Sequence, residues 1–474
     1  LHRDHLHYLF LKARAAPARL CFALYAPFRA CLPVGARFKR YNDPAMADVY
    51  FDHNATTPLD PRVREAMLPW LGERFGNPSS IHRTGQAARN AIEEARERVA
   101  ALIGGRPPEV VFTASGTEAN NAVVASAAER CRQQGGGHLV ISAIEHPSVR
   151  QAAARAARAG VEVTVVPPGE DGVVPAAAML AALRPDTRLA CLMLANNEVG
   201  TLQPVAEVAA GCRERGVLLL CDAVQAVGKV PVDAVRLGVD LLVLGAHKFG
   251  GPLGAAALWL RDGVEIDGLL VGGSQERRRR AGTENVAAIV GLGEAAALAR
   301  DEVGVGAEAA EAPDTGQASP DAGQASSDAG QASSDTGQAS PDTGQPGERP
   351  RRLAALRRRF EAGLAAIPGA VVHCRTAPRL PNTSHVAFPG AEGEALLIRL
   401  DLASFAVSTG SACSSGTVEP SKTLLAMGLP AAEALSSIRV SFGISNRPAE
   451  VDRFLIALGR EVATLRRLTG GAAA

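Results

Sequence analysis

The chain has 474 residues, of which 47% are hydrophobic and 21% charged, and its formal net charge is +1. That length allows two folded domains with a sizeable core, the composition is that of a soluble globular protein, and so even a balance makes no case for nucleic acid or an anionic membrane as partner. No apolar run approaches the roughly 18 residues of a membrane span, and the eight cysteines lack the paired spacings of a disulfide framework or metal site, which points to reduced thiols in a cytosol-like compartment.

The first 45 residues are rich in Arg and poor in acids, and Met46, the first methionine, falls just before "ADVYFDHNATTPLDP". Residues 1–45 read as non-native sequence ahead of the fold. The alternative is a transit peptide, which would move the expected location from the cytoplasm to the mitochondrion. From 46 to 304 short apolar runs alternate with Ala-rich, charge-dotted stretches. "EVVFTA", "GHLVISA", "VEVTVVP", "RLACLMLA", "GVLLLCDA" and "DLLVLGA" suit buried strands, and "GQAARNAIEEARERVAALIG" and "TEANNAVVASAAERCRQQ" suit helices. The order implies an α/β domain with a mostly parallel sheet covered by helices. Residues 305–350 hold a heptad of the type DTGQASP, whose only apolar residue is Ala. Without apolar a and d positions it is no coiled coil, and it cannot offset its ordering entropy, so it reads as an inert, disordered insertion. Residues 351–474 open on the helix candidate "RRLAALRRRFEAGLAAI" and close near "VDRFLIALGREVATLRRL", forming a smaller C-terminal α+β domain.

In open α/β sheets ligands bind at the carboxyl ends of strands. There the chain presents "SGTEANN" with Gly116 and Thr117, "EHP" with His146, "NNEVG" with Asn197, "DAVQ" with Asp222 and Gln225, and "AHK" with His247 and Lys248. Singly each is weak: Ser/Thr before a helix is commonly just an N-cap, and a lone strand-end histidine is commonly structural. Together, a phosphate-binding helix start, a lysine, an aspartate and a ring-stacking side chain are what pyridoxal phosphate requires.

With "DHNATTPLDPRV", "FGNPSSIHRTG", "SGTEANN", "EHPSV", "NNEVGTLQP", "DAVQAVGK", "AHKFGGP", "RAGTENV", "GSACSSG" and "SSIRVSFG", the chain resembles the cysteine desulfurases of the NifS/IscS type. These belong to the class V aminotransferase-like family of fold type I pyridoxal-phosphate enzymes, and the likeness runs from about Val49 to about residue 465. The resemblance implies that Lys248 forms the covalent link to the cofactor and acts as base, and that Asp222 faces the pyridine nitrogen. His146 would stack on the ring, and Asn197 and Gln225 would bond its hydroxyl region. Gly116, Thr117 and His247 would hold the phosphate, joined by Thr283 from a neighbouring subunit, hence a homodimer. Arg439, with Asn197 beside it, would bind the substrate carboxylate. Cys413, on a loop of small residues, would take sulfur from L-cysteine as a persulfide and pass it to an acceptor protein such as an iron–sulfur scaffold. A selenocysteine lyase, another class V enzyme or a non-catalytic scaffold of the same fold is the alternative.

The chain departs from the family at Gly245, where a serine is usual, and this implies weaker phosphate binding. The run Arg277 to Arg280 reads as a solvated or interface cluster rather than a nucleic-acid site.

Overall fold

The computed structural model describes residues 49–304, 347–409 and 419–470; the N-terminal extension, the heptad repeat and Cys413 lie outside them. Twelve strands are described: β1 (Val49–Tyr50), β2 (Val110–Thr113), β3 (His138–Ser142), β4 (Glu162–Val166), β5 (Thr187–Cys191), β6 (Leu218–Asp222), β7 (Leu241–Gly245), β8 (Ala256–Leu260), β9 (Val371–Val372), β10 (Thr383–Ala387), β11 (Phe405–Ala406) and β12 (Ser437–Ser441).

A seven-stranded sheet has the order β2-β8-β7-β6-β5-β3-β4. All neighbours from β7 to β4 pair in parallel, and β8 runs antiparallel between β7 and β2. The six apolar runs read as strands coincide with β2 to β7. Five of them are buried apart from exposed Arg188 and half-buried Leu218, because helices cover both faces of the sheet. β4 is the exception: as an edge strand with one neighbour it buries only Val166. β8, "AALWL", was not among the expected strands, since its alanines blur it into the helical stretches, yet all five residues are buried.

Two long helices, Arg83–Leu102 and Val286–Val303, lie against one another. Gly293 allows this closeness, because a Cβ there would sit 2.6 Å from the Ala95 Cα. Between β8 and the second helix the backbone is strained. Glu276, Arg277 and Arg278 have φ of 46°, 56° and 68°, a left-handed run costing about 1–2 kcal/mol per residue. Buried partners hold it: Glu276 accepts from Arg96 at 2.7 and 2.8 Å and from the Phe112 N–H at 2.9 Å. Arg277 and Arg279 donate to the Pro108 carbonyl, and Arg280 pairs with Glu118 at 2.9 Å, so the basic run folds back on its own chain.

A second core gathers Phe51, Phe360, Phe388, Phe405, Phe442 and Phe454 around the antiparallel sheet β9-β10-β12 and the helix Pro448–Gly470. The first described strand belongs here. β1 pairs in parallel with β11, and Asp52 bridges to Ser441. The described residues therefore begin in the core of the C-terminal half, then cross through residues 53–57 to the large sheet.

Removing Glu276 would leave buried Arg96 with only the half-exposed Glu93 as ionic partner. Glu276→Ala should cost about 3–5 kcal/mol, read as a lower urea midpoint for the folded chain.

Candidate active site

Along the carboxyl ends of the parallel strands the chemistry-bearing side chains converge. β7 ends at Gly245, and a single 3-10 turn, Ala246–Lys248, presents His247 and Lys248. The Lys248 Nζ donates to the backbone carbonyls of Asn54 and Ala55, both at 2.7 Å. Burial, with Arg439 adding to it, lowers its amine from 10.5 to about 8, against the opposite pull of Asp52 and Asp222. Asp222 closes β6, and its carboxylate accepts from Asn120 Nδ2 at 2.7 Å and from the Val224 N–H at 3.0 Å. Asn120 also donates to Ser148 Oγ at 2.9 Å, which lies 2.8 Å from His146 Nδ1, so one polar chain joins the ends of β6 and β3.

His146 also caps the helix Pro147–Arg158 by accepting the Ser148 N–H. Part of its ring surface is open, yet desolvation in the recess draws the imidazole below its ordinary range despite Asp222. It is therefore held neutral. Its capping role and its place facing the site coexist, because one nitrogen serves the helix.

Beyond β2, Ser115 caps the helix Gly116–Gln133 and accepts the Glu118 N–H, while Glu118 accepts the Ala114 N–H. Gly116 opens the first turn, and Thr117 is exposed beside it. A Cβ at Gly116 would lie 2.9 Å from Val224 Cγ2, and one at Gly245 3.6 Å from Val224 Cγ1, so both glycines face the same side chain. His247 Nδ1 lies 3.1 Å from Thr56 Oγ1, and burial, aided by Lys248 and Lys229, lowers its ring to about 4. Thr283 is exposed ahead of the helix Val286–Val303 and makes no hydrogen bond to this group among the described residues.

The opposite wall comes from the second core. Arg439, in β12, pairs with Asp52 at 2.6 Å and donates to the Asn197 carbonyl at 2.9 Å, while its buried Nε has no partner among the described residues. The Asn197 side chain is half-buried in the turn beyond β5. Gln225 donates to the Asn54 carbonyl at 2.9 Å and accepts from Lys229 at 2.7 Å. Sequence reading assigned nothing to Asn54, Asp52, Asn120 or Lys229. They lie inside quoted motifs, but their partners come from other strands.

Cys413 falls outside the described residues, but the chain on either side of it is tied down. Ser408 and Arg439 exchange backbone hydrogen bonds of 2.6 and 3.2 Å, and Ser421 and Thr423 both donate to the buried Glu198 carboxyl. The five described cysteines, at 131, 191, 212, 221 and 374, are buried, and burial raises every one of their thiols, Cys212 and Cys374 to about 12.

This donor set suits a phosphorylated pyridine aldehyde. An 18-residue helix offers its N-terminus and an exposed hydroxyl, with no side chain at Gly116 to fill the approach. Beside it stand a buried carboxylate and an amine near 8 that no carboxylate pairs with among the described residues.

The aminotransferase class-V family matches residues 49–318 and 349–454. A cysteine desulfurase IscS of Methanosarcina thermophila is 39% identical over 421 residues, 89% of this chain and 93% of the relative. A cysteine desulfurase of Gluconacetobacter diazotrophicus is 40% identical over 427 residues, 90% of this chain and 96% of the relative. Among solved structures, a NifS-like protein has a TM-score of 0.74 at 32% identity, covering 88% of this chain and 100% of that one. SspA, solved in complex with cysteine, has a TM-score of 0.67 at 30% identity, covering 83% and 98%. The chain belongs to the aminotransferase class-V family, among its cysteine desulfurases.

An amine near 8 becomes neutral, and so nucleophilic, well below the usual lysine range. In cofactor-free protein, modification of Lys248 by an amine-directed ester should rise about tenfold per pH unit and level off near pH 8. Peptide mass spectrometry reads this, and a plateau reached only near the ordinary lysine value would contradict it.

Proposed function

We propose that the chain moves the sulfur of L-cysteine onto Cys413, leaving L-alanine, with pyridoxal phosphate held by Lys248. The observation that carries this reading is the convergence of Lys248, buried Asp222 and His146 at the carboxyl ends of β7, β6 and β3, with Asn120 and Ser148 linking Asp222 to His146.

The Gly116–Gln133 helix start, Thr117 and His247 would bind the cofactor phosphate, with Thr283 supplied by a second copy in a homodimer. Asp222 would hold the pyridine nitrogen protonated, His146 would cover the ring, and Gln225 and Asn197 would face its hydroxyl. The bound cofactor supplies an electron sink for the charge that develops at the substrate Cα. Lys248, half neutral near pH 8, would accept the Cα proton. The Arg439 fork, already oriented by Asp52 and the Asn197 carbonyl, would receive the substrate carboxylate. In the transfer the substrate Cβ–S bond breaks and a sulfur–sulfur bond forms at Cys413. The substrate carbon gains the electrons and a proton, so one thiol and one cysteine become one persulfide and one alanine.

Three features support Cys413 as acceptor. The described thiols are buried and held protonated, so they are poor nucleophiles. The flanks of the cysteine segment are tied to Arg439 and to Glu198, next to Asn197, which are the residues assigned to substrate. The cysteine desulfurase relatives supply the activity. Division into a large domain at 46–304, its first residues joining the smaller domain, and a smaller one at 351–474, a cytoplasmic location and a separate sulfur-acceptor protein belong to the same proposal. Among the described residues no helix is long and apolar enough to cross a membrane.

The decisive assay is anaerobic incubation with L-cysteine, measuring alanine and locating the persulfide by peptide mass. Cys413→Ser should keep the bound cofactor's visible colour and lose the persulfide, and sulfide release at the normal rate under thiol would defeat the assignment. Gly245→Ser should bind the cofactor about tenfold more tightly, because a hydroxyl hydrogen-bonded to a charged phosphate contributes about 1.5–3 kcal/mol. There is room for it: the nearest atoms to a Cβ at 245 lie at 3.6 and 3.8 Å, and φ is −133°. Equilibrium dialysis measures the change, and equal dissociation constants would refute it.

A further inference from the structure

Of the chain's 50 Lys and Arg residues only five are lysine: Lys12, Lys39, Lys229, Lys248 and Lys422. Two of these five meet at the site. Lys229 and Lys248 line one cavity of about 150 Å³ between the two cores, together with His53, Asp60, Arg349 and Asn382. A guanidinium stays charged under all ordinary conditions, whereas an amine can give up its proton, so Lys229 and Lys248 can titrate where the neighbouring Arg349 cannot.

Lys229 is 4% exposed, and its Nζ donates to Gln225 Oε1 at 2.7 Å and to Asn54 Oδ1 at 2.9 Å. No carboxylate pairs with it among the described residues. Amide oxygens satisfy the N–H groups of a neutral amine but do not compensate a full buried charge. The donation also settles both amides. Gln225 must turn its oxygen to Lys229, which turns its nitrogen to the Asn54 carbonyl, the same oxygen that takes Lys248.

We propose that Lys229 is a positioning residue for Lys248: a second buried amine that fixes the Gln225 and Asn54 amides and competes with Lys248 for one proton. This rests on Lys248 as the base of the proposed reaction. Two like charges in one desolvated chamber oppose each other, so protonating either amine makes the other more acidic. Each amine exchanges its proton with water, and only N–H bonds change. The remaining charged groups around the pair are His53, Asp60 and Arg349 on the cavity wall, with Arg349 paired to Glu302, His247 on the adjoining turn, and Asp52, Asp222 and Arg439 toward the substrate side. Burial lowers Lys229 well below the ordinary lysine range, and Lys248 is its next largest cause.

The test is a pH titration of cofactor-free protein carrying 13C-labelled lysine, where five lysines keep the spectrum simple. Lys248→Ala should raise the Lys229 midpoint by about one pH unit, whereas Lys229→Met should leave the Lys248 midpoint near 8, because Lys229 has already lost its proton when Lys248 titrates. Lys229→Gln, which still donates to one amide oxygen without a titrating charge, should likewise leave the Lys248 midpoint in place. A role in packing alone would lower stability in Lys229→Met and leave the Lys229 midpoint in place in Lys248→Ala, and that result overturns the proposal. If Lys229→Met does not fold, the Lys248→Ala arm decides by itself. Alanine formation by the unaltered chain is measured alongside. Turnover by the unaltered chain without a Lys229 shift in Lys248→Ala would end the shared-proton inference and leave the desulfurase reading standing.

Discussion

Every polar group of Asn54 is used, and the site depends on that saturation. Its N–H donates to Ser441 Oγ, its carbonyl accepts from Gln225 and Lys248, its amide oxygen accepts from Lys229 and Asn382, and its amide nitrogen donates to Thr383 and the Asn197 carbonyl. These partners come from both cores and from the turn beyond β5. A buried network of this kind contributes little per bond but is costly to leave half made, at about 1–3 kcal/mol for each orphaned group. One residue on the crossing segment thus fixes where the lysine stands relative to the arginine that faces it.

Desolvation then sets the chemistry. Burial lowers Lys248, Lys229, His146 and His247 alike, so the bases of the site tend toward their neutral forms. The carboxylates are arranged on two sides: Asp222 beneath the strand ends, hydrogen-bonded by Asn120 and Val224, and Asp52 against Arg439. Basic groups ready to accept protons near neutral pH, beside fixed negative charge, suit proton abstraction from carbon. Burial affects the described cysteines in the opposite sense, holding them as inert thiols, which matches a chemistry that needs one reactive sulfur elsewhere.

The tethers on either side of residues 410–418 bear on the same division of labour. Ser408 is fastened to Arg439, and Ser421 and Thr423 to Glu198, so both ends of the segment share anchors with the residues assigned to substrate. Any shift of the second core against the large sheet is therefore felt at the arginine and at those ends together. The strained run at Glu276 makes a comparable link, since its ion pair with Arg96 holds the chain that leads to Thr283.

Period and composition alone determined much here. Six apolar runs became six strands, because residues buried on both faces leave a continuous hydrophobic signature, and the residues after those runs are the ones that converge. Lys248, Asp222, His146 and Gly116 were legible for that reason: a strand end is a position along the chain. β8 was not legible, since alanines carry no strand period, nor was the partial exposure of β4, which follows from its place at the sheet edge. Asn54 and Lys229 were also beyond reach, because their meaning lies in hydrogen bonds to residues more than 100 positions away. Only the crossing of the first described strand into the distant core brings those groups together, and such long-range closure leaves no mark on local pattern.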